Sequence, residues 1–209
     1  MRAAILLLAL VALAGCSTIR RSTSMFPNRS HDWRQVATND DEGRLRDWRS
    51  DFISALTAAR RAGHGSEIDR EGALLTPEAA LAGPSLPDGL YHCRRLRVGA
   101  KGPGSPDFAI SEALTCRVSQ NGSLQSFVLL GGVQREVGLI FPADGIRRVF
   151  LGTLMLPGES RAMQYGADDD RDVAGYVERI GPRRWRVVMP GPHFDSQLEV
   201  LDLVPMTAR

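Results

Sequence analysis

The residues of this sequence that could catalyse a reaction or bind a metal are scattered along the chain. No Gly-x-Ser-x-Gly nucleophile motif and no HExxH motif occur. The acidic stretch at 168–172 lacks the ligand spacing and the glycine of a calcium-binding loop. We therefore expect no catalytic residue, no metal and no cofactor, and a protein that is not an enzyme. The histidines, which fall in no metal-ligand spacing, are His31, His64, His92 and His193.

A glycine-rich loop carries the single lysine of the chain. Residues 99–104 read GAKGPG, which superficially resembles a phosphate-binding loop. The Walker spacing is absent, and the loop joins two predicted strands, whereas a phosphate loop leads into a helix. We expect a loop at one mouth of a β-barrel, where Lys101 could meet an anionic ligand.

Two further pairs of residues are candidates for contacts in a pocket. Tyr165 and Trp185 each combine an aromatic body with a polar tip, which suits either a pocket lining or an ordinary core. Arg135 and Glu136 are neighbours on a predicted strand, so their side chains alternate between its two faces. One of these charges must point inward or toward the helical segment that precedes the strands. An inward charge needs a partner, which makes this the first place to look for a site.

The start of the sequence indicates export and lipid attachment. Residues 1–15 combine one arginine with an apolar stretch of signal-peptide length, shorter than the ~20 residues that span a bilayer. The sequence LAGC at 13–16 resembles the lipobox of bacterial lipoproteins, in which Cys16 would carry the lipid. Residues 16–31 are mostly polar and predict a flexible tether. Ser17 points to the outer membrane, so we expect a lipid-anchored envelope protein that faces the periplasm. The formal net charge of +2 offers no reason to expect nucleic acid as a partner.

Two cysteines remain once Cys16 is lipidated. Cys93 and Cys116 lie on the first two predicted strands, and an oxidising compartment favours a disulfide between them. If they are directly opposite in an antiparallel pair, then Arg97 lies across from Glu112, which is a favourable cross-strand charge pair. A metal pair or a redox pair would require CxxC spacing or a nearby ligand cluster.

Residues 32–84 are predicted to form a helical collar. Thr38 begins a capping box, and the helix should run to about residue 62, where Gly63 ends it. Leu45, Trp48 and Phe52 lie on one apolar stripe that we expect to pack on the sheet. A second short helix is predicted at about 66–71.

Residues 85–205 read as a mainly β domain, in which apolar segments alternate with hairpin turns. We expect an antiparallel up-and-down meander of eight or nine strands, closed into a barrel, with a two-layer sandwich as the alternative. The segment from Val149 to Leu156 is apolar on both faces, so the helix stripe should cover its outer face. The predicted strands are 89–98, 110–119, 123–130, 133–141, 146–156, 161–166, 172–180, 184–189 and 198–204.

Several short sequences in the second half of the chain form a recognisable set. They are GLYHCR at 89–94, VGLIFP at 137–142, GTL at 152–154, QYG at 164–166, AG at 174–175 and ERIGPRRWR at 178–186. Together they resemble a family of uncharacterised Gram-negative bacterial lipoproteins that is catalogued as a domain of unknown function. The resemblance spans about 32–205 and implies no activity and no catalytic residue. A looser similarity, to lipocalin-like barrels, rests on the expected fold.

These expectations leave three hypotheses for function. The first is a non-enzymatic envelope lipoprotein whose barrel binds a small apolar or mixed ligand, or an envelope protein. The second is a structural or assembly role with a filled barrel interior. The third, an envelope hydrolase, has no nucleophile and base to support it. A cavity of a few hundred cubic ångströms with mixed lining would favour the first hypothesis over the second.

Overall fold

The computed structural model describes residues 25–192 and 196–206, in which nine antiparallel strands form one sheet. Eight of these strands close into a barrel, because β1 pairs with β9 as well as with β3. The short strand β2 extends the sheet beside β1. This architecture confirms the predicted meander and its closure into a barrel. The strands are β1 (Gly89–Ala100), β2 (Phe108–Ile110), β3 (Leu114–Asn121), β4 (Leu124–Leu129), β5 (Arg135–Pro142), β6 (Arg147–Met155), β7 (Asp172–Gly181), β8 (Arg184–Pro190) and β9 (Ser196–Pro205).

The middle of the barrel interior is filled by side chains. Alternate residues of each strand point inward, as the two-residue period of a strand requires. Phe127 and Phe150 meet edge to face with ring centres 5.5 Å apart, and aliphatic side chains surround them. The Phe150 ring lies over Gly138 and Gly152, where a Cβ atom would overlap it. A packed core of this kind leaves no central ligand chamber among the described residues.

Two helices precede the barrel. Helix α1 (Asn39–Ala59) begins at the N-cap Thr38, whose hydroxyl accepts a hydrogen bond from the Asp41 backbone N–H at 3.3 Å. It ends in a π-helical turn in which Gly63 has a φ of 103°, a value that suits glycine. Helix α2 (Gly65–Glu71) follows, and both helices lie close to where they were predicted. None of the helices in the described part of the chain has the length and apolar character needed to cross a membrane.

Helix α1 packs along the outside of the barrel through two groups of residues. Its second half, which includes Phe52, covers the apolar outer face of β1, β8 and β9. Its first half places Leu45 against Val149 and Leu151 of β6. The stripe therefore covers the outer face of β6, as predicted, but it does so through Leu45. Phe52, which was expected to lie over β6, lies over β1, β8 and β9.

A buried arginine fastens the collar to the barrel. Arg186 of β8 is 0% exposed and pairs with Glu178 of β7, Nε to Oε2 at 2.7 Å. Its remaining N–H groups donate to the backbone carbonyls of Ala73, Leu74, Thr76 and Pro77 at 2.8–3.1 Å. A single side chain thus donates to four carbonyl groups at and just after the 3-10 turn Gly72–Leu75.

Two segments differ from their predicted structure. Residues 161–166 form turns and coil instead of a strand. The predicted strand 110–119 begins only at Leu114, as β3, and the loop 111–113 separates it from the short strand β2 at 108–110. Phe26, which was assigned to the flexible tether at 16–31, is only 5% exposed and stacks on Tyr165 with ring centres 5.2 Å apart. Residues 1–24, including Cys16, lie outside the described residues.

Candidate functional site

The barrel wall has a gap at its upper end, which we define as the end where β1 finishes and β5 and β9 begin. On one side of β1, β3 pairs with Gly89–Cys93, and β2 takes over at Leu96–Val98. The next strands along, β4 and β5, pair only up to Val128 and Val137. Beyond that point β2 and β5 share no backbone ladder, so the wall is open between them.

Side chains bridge this gap in place of backbone hydrogen bonds. Arg95 of β1 reaches across to Glu136 of β5 and also donates to the backbone carbonyl of Gln134 at 2.9 Å. Arg97 donates to the side-chain oxygen of Gln134 at 2.8 Å. From the other side, Glu199 of β9 lies 2.9 Å from Arg95 Nε and 3.6 Å from Arg97 Nε. The gap is therefore closed by a network of two arginines and two carboxylates.

Glu136 is the most deeply buried carboxylate of this network. It is 1% exposed, and burial together with the nearby Glu199 raises its pKa to about 8, against the opposing effect of Arg95. One carboxyl oxygen is held by Arg95, whereas Oε2 is buried and has no hydrogen-bond partner. A buried polar atom without a partner is costly, which makes it a natural contact point for a ligand.

The gap opens into a groove with a volume of about 520 Å³. The two arginines and Gln134 form its polar side, while Ile110 and Val133 present apolar surface and are 43% and 72% exposed. Below the groove, a void of about 20 Å³ reaches Glu136 and Glu199. Volume and mixed lining both fall in the range of small-molecule sites.

Lys101 and Arg135 lie near this end of the barrel but contribute to it differently. Lys101 donates to the backbone carbonyl of Pro192, so it links the β1–β2 loop to the β8–β9 loop. Burial and the neighbouring Arg44 lower its pKa below the ordinary value. Arg135 points outward and donates to the Glu159 carbonyl at 2.9 Å. Neither residue lines the groove.

Tyr165 and Trp185 lie elsewhere, so the five candidate residues do not form one pocket. Tyr165 is outside the barrel, where its hydroxyl donates to the buried Asp41 beneath the start of α1. Asp41 and burial raise the pKa of Tyr165 above its ordinary value. Trp185 points into the opposite, lower end of the barrel and meets Tyr91 edge to face at 6.5 Å.

The predicted disulfide is confirmed, but the predicted register is wrong. Cys93 and Cys116 are bonded inside the barrel with Cα atoms 6.0 Å apart. Cys116 pairs with Tyr91, and Cys93 pairs with Leu114, so the two cysteines are diagonal neighbours. The chain therefore does not place Arg97 opposite Glu112: Ala109 lies there instead.

Three members of the charged network were missed from the sequence. Arg95 and Arg97 alternate with the apolar Leu96 and Val98, a pattern that suggests an outward polar face. The pattern is inverted here, because α1 covers the outer face of β1 and makes that face the apolar one. Glu199 shares its face of β9 with Leu201 and Leu203, which point into the barrel, and that position was the available signal of an inward charge.

The arrangement offers charged and polar groups for binding a ligand. The network contains carboxylates and guanidinium groups, and Ser111, which also lines the groove, accepts a hydrogen bond from the Arg95 backbone N–H at 2.9 Å. In the described residues, no group of three or more His, Cys, Asp and Glu side chains is placed to hold a metal ion. Polar recognition of a ligand is what this geometry can provide.

Comparison with known proteins places the chain in a family. The family model described as Domain of unknown function (DUF4893) matches residues 33–203, and the chain belongs to this family. No curated protein and no solved structure matches the chain.

Proposed function

We propose that this member of the DUF4893 family is a lipid-anchored envelope lipoprotein whose β-barrel is a non-enzymatic binding module. The anchor is Cys16, and the protein faces the periplasm from the outer membrane. Its binding site is the gap between β2 and β5, and its ligand combines a polar group with an apolar part. The third hypothesis, an envelope hydrolase, has no further support.

The observation that carries this proposal is the unpartnered Oε2 of Glu136, a residue that lines a small void next to an open groove. The void and the groove share Arg97 and Gln134 in their linings, so a polar group bound in the groove lies close to the buried carboxyl group. With its raised pKa, Glu136 can donate a hydrogen bond, while Arg97 offers a charge at the surface of the gap. Ile110 and Val133 would contact the apolar part of the ligand.

The filled centre of the barrel supports a second candidate function, a structural or assembly role. Seventeen buried residues pack into one interior cluster. A barrel of this kind does not need a ligand for stability, and its exposed apolar side chains could instead contact a partner protein. The binding role requires a small molecule in the gap between β2 and β5, whereas the structural or assembly role does not.

Native mass spectrometry of the full chain, purified in mild detergent from its own host, tests the binding role. We expect a bound small molecule in addition to the acyl chains. Arg97→Ala, which removes the more accessible arginine of the gap, should abolish this extra mass. Arg117→Ala changes an exposed arginine on the outer face of β3 and serves as the matched control.

The result distinguishes the two candidates. Loss of the extra mass in Arg97→Ala, with its retention in the control, supports ligand binding at the gap. A chain that carries no small molecule but co-purifies with one stoichiometric protein favours the assembly role. In the same spectra, an unmodified N-terminus at a residue other than Cys16 would contradict the lipid anchor.

A further inference from the structure

A second pocket lies at the lower end of the barrel, where β1 and β8 begin. The segment 81–86 crosses this end, and the turn between β5 and β6 forms the opposite wall. Between them is a cavity of about 80 Å³, whose floor includes Trp185 and Arg179. One water needs about 10–15 Å³ of such volume, so the pocket has room for a group of several heavy atoms.

Two hydrogen-bond donors in this pocket have no acceptor. Trp185 is 4% exposed, and its indole Nε1 is buried without a hydrogen-bond partner. The Nε atom of Arg179 is also buried and unpartnered, although Nη1 of the same side chain donates to the Ala82 carbonyl at 2.7 Å. Both groups can donate but cannot accept. Because Trp185 and Arg179 both line the pocket, we take its occupant to carry a hydrogen-bond acceptor.

The charge of the pocket indicates that this acceptor is negative. Arg148 of β6 belongs to the same inward-facing row as Phe150 and lines the pocket, and it makes no ion pair within the described residues. The carboxylate in the pocket lining is Asp144, whose Oδ1 accepts hydrogen bonds from the backbone N–H groups of Ile146 and Arg147. Asp144 offsets one of the two arginines Arg148 and Arg179, so the pocket keeps an excess of one positive charge.

We propose that the lower pocket binds an oxyanion, a phosphate or a carboxylate group. The Nε1–H of Trp185 and the Nε–H of Arg179 donate to its oxygens, and Arg148 supplies the balancing charge. Water molecules could accept the same hydrogen bonds, but they are neutral and would leave the excess positive charge of the pocket uncompensated. An oxyanion satisfies both the donors and the charge.

The rim of the pocket is apolar and favours an oxyanion attached to an apolar group. Leu81 and Ile146 line the pocket and are 44% and 46% exposed. A free phosphate would leave this rim uncovered, whereas the head group of an anionic lipid would place acyl carbon atoms against it. The oxyanion chemistry is common to both sources.

NMR of the indole N–H groups tests the proposal on the full chain in detergent. Trp33, Trp48 and Trp185 give three indole resonances, and Trp185→Phe assigns the one of interest. Titration with inorganic phosphate should shift the Trp185 resonance in a saturable manner. The resonance of Trp48, which lies outside the pocket, should stay in place.

Substitutions separate a specific site from a general salt effect. Arg148→Gln should weaken the apparent affinity at least tenfold, whereas Arg148→Lys, which keeps the charge, should retain most of it. Arg183→Gln is the matched control, because Arg183 is exposed in the turn between β7 and β8 at the same end of the barrel. It should bind phosphate as the wild type does.

The outcomes are distinct. A Trp185 resonance that does not respond to phosphate, or that responds equally in Arg148→Gln and Arg183→Gln, would overturn the proposal. A response that is tighter for dihexanoyl phosphatidylglycerol than for inorganic phosphate, and absent for dihexanoyl phosphatidylcholine, assigns the site to a lipid head group. A response to phosphate alone assigns it to a free anion. The upper gap is not involved, so failure here leaves the proposed function untouched.

Discussion

Glu136 illustrates how one residue combines the stability of the barrel with its proposed activity. Its side chain lies between Arg95, which favours the ionised form, and burial next to Glu199, which disfavours it. Burial and the second carboxylate prevail, so the pKa rises above the ordinary value of 4.5. The folded protein therefore binds the proton of Glu136 more tightly than the unfolded chain does.

This raised pKa predicts the pH dependence of stability. The stabilising effect of the Glu136 proton is fully present below the ordinary pKa and is lost as the pH rises through about 8. Compared with Glu136→Gln, the wild type should lose on the order of 3 kcal/mol of unfolding free energy between about pH 5 and pH 9. Urea denaturation at several pH values measures this difference.

Glu112→Gln, at an exposed carboxylate, is the control for the Glu136 substitution. The difference between this variant and the wild type should be nearly constant over the same pH range. If the curves for Glu136→Gln and the wild type also run parallel, then Glu136 is ionised throughout and the assigned protonation is wrong.

At the residue scale, the sequence predicted that either Arg135 or Glu136 would be an inward charge, because successive side chains of a strand point to opposite faces. Glu136 is that residue, and Arg135 points outward. The partners could not be predicted, since Arg95 and Glu199 are distant in sequence and meet Glu136 only through the barrel register. Register depends on the bulges and loops of the whole wall.

At the scale of elements, the collar is attached by polar contacts as much as by its apolar stripe. Arg186 donates to four carbonyl groups between residues 73 and 77, and its guanidinium also lies over the Phe52 ring at 5.3 Å. This side chain therefore joins β8, α1 and the chain that leads to the barrel. The apolar periodicity of α1 alone does not reveal such a contact.

Arg186→Leu should detach this part of the collar. The substitution removes the hydrogen bonds to the carbonyls and leaves Glu178 with Arg147 as its remaining ion-pair partner. We expect a loss of about 3–5 kcal/mol in unfolding free energy, the range seen when one partner of a buried ion pair is removed. Hydrogen exchange should accelerate more in residues 60–79 than in β4 and β5.

Arg184→Leu provides the comparison on the same strand. Arg184 pairs with Asp202 but is 34% exposed, so its loss should cost roughly 1 kcal/mol or less. Equal losses in the two variants, or faster exchange spread evenly over the barrel in Arg186→Leu, would show that Arg186 does not hold the collar specifically.

Element boundaries were predictable where local chemistry decides them. Thr38 and Gly63 delimit α1 because a cap and a left-handed residue are local requirements. The failed strand at 161–166 has a tertiary cause: Tyr165 packs on Phe26, and its hydroxyl binds Asp41 of α1. Phe26 was misassigned for the same reason, since nothing in the polar segment around it indicates its distant partner.

At the scale of the whole molecule, closure of the barrel was predictable and its gap was not. Successive hairpins require neighbouring strands, and a long meander gains by pairing its ends, as β1 and β9 do. At the gap, loop 111–113 separates β2 from β3, where the sequence predicted a strand that already begins at residue 110. The sequence has no strong turn signal at this loop, yet the groove that we propose binds a ligand lies beside it.

The interruption leaves β1 attached on one side by two short strands, so the disulfide has a global role. Cys93 and Cys116 join β1 to β3 from inside the barrel across a sequence separation of 23.

The double variant Cys93→Ala and Cys116→Ala should lose about 3 kcal/mol of unfolding free energy, since the unfolded chain is no longer constrained by the disulfide-closed loop. Its hydrogen exchange should increase most in β3 and β2, while the β5–β6 hairpin is nearly unaffected. Urea denaturation and exchange mass spectrometry measure both effects, with reduced wild type as the control. An unchanged free energy and unchanged exchange in β3 would mean that the backbone ladder alone holds this seam closed.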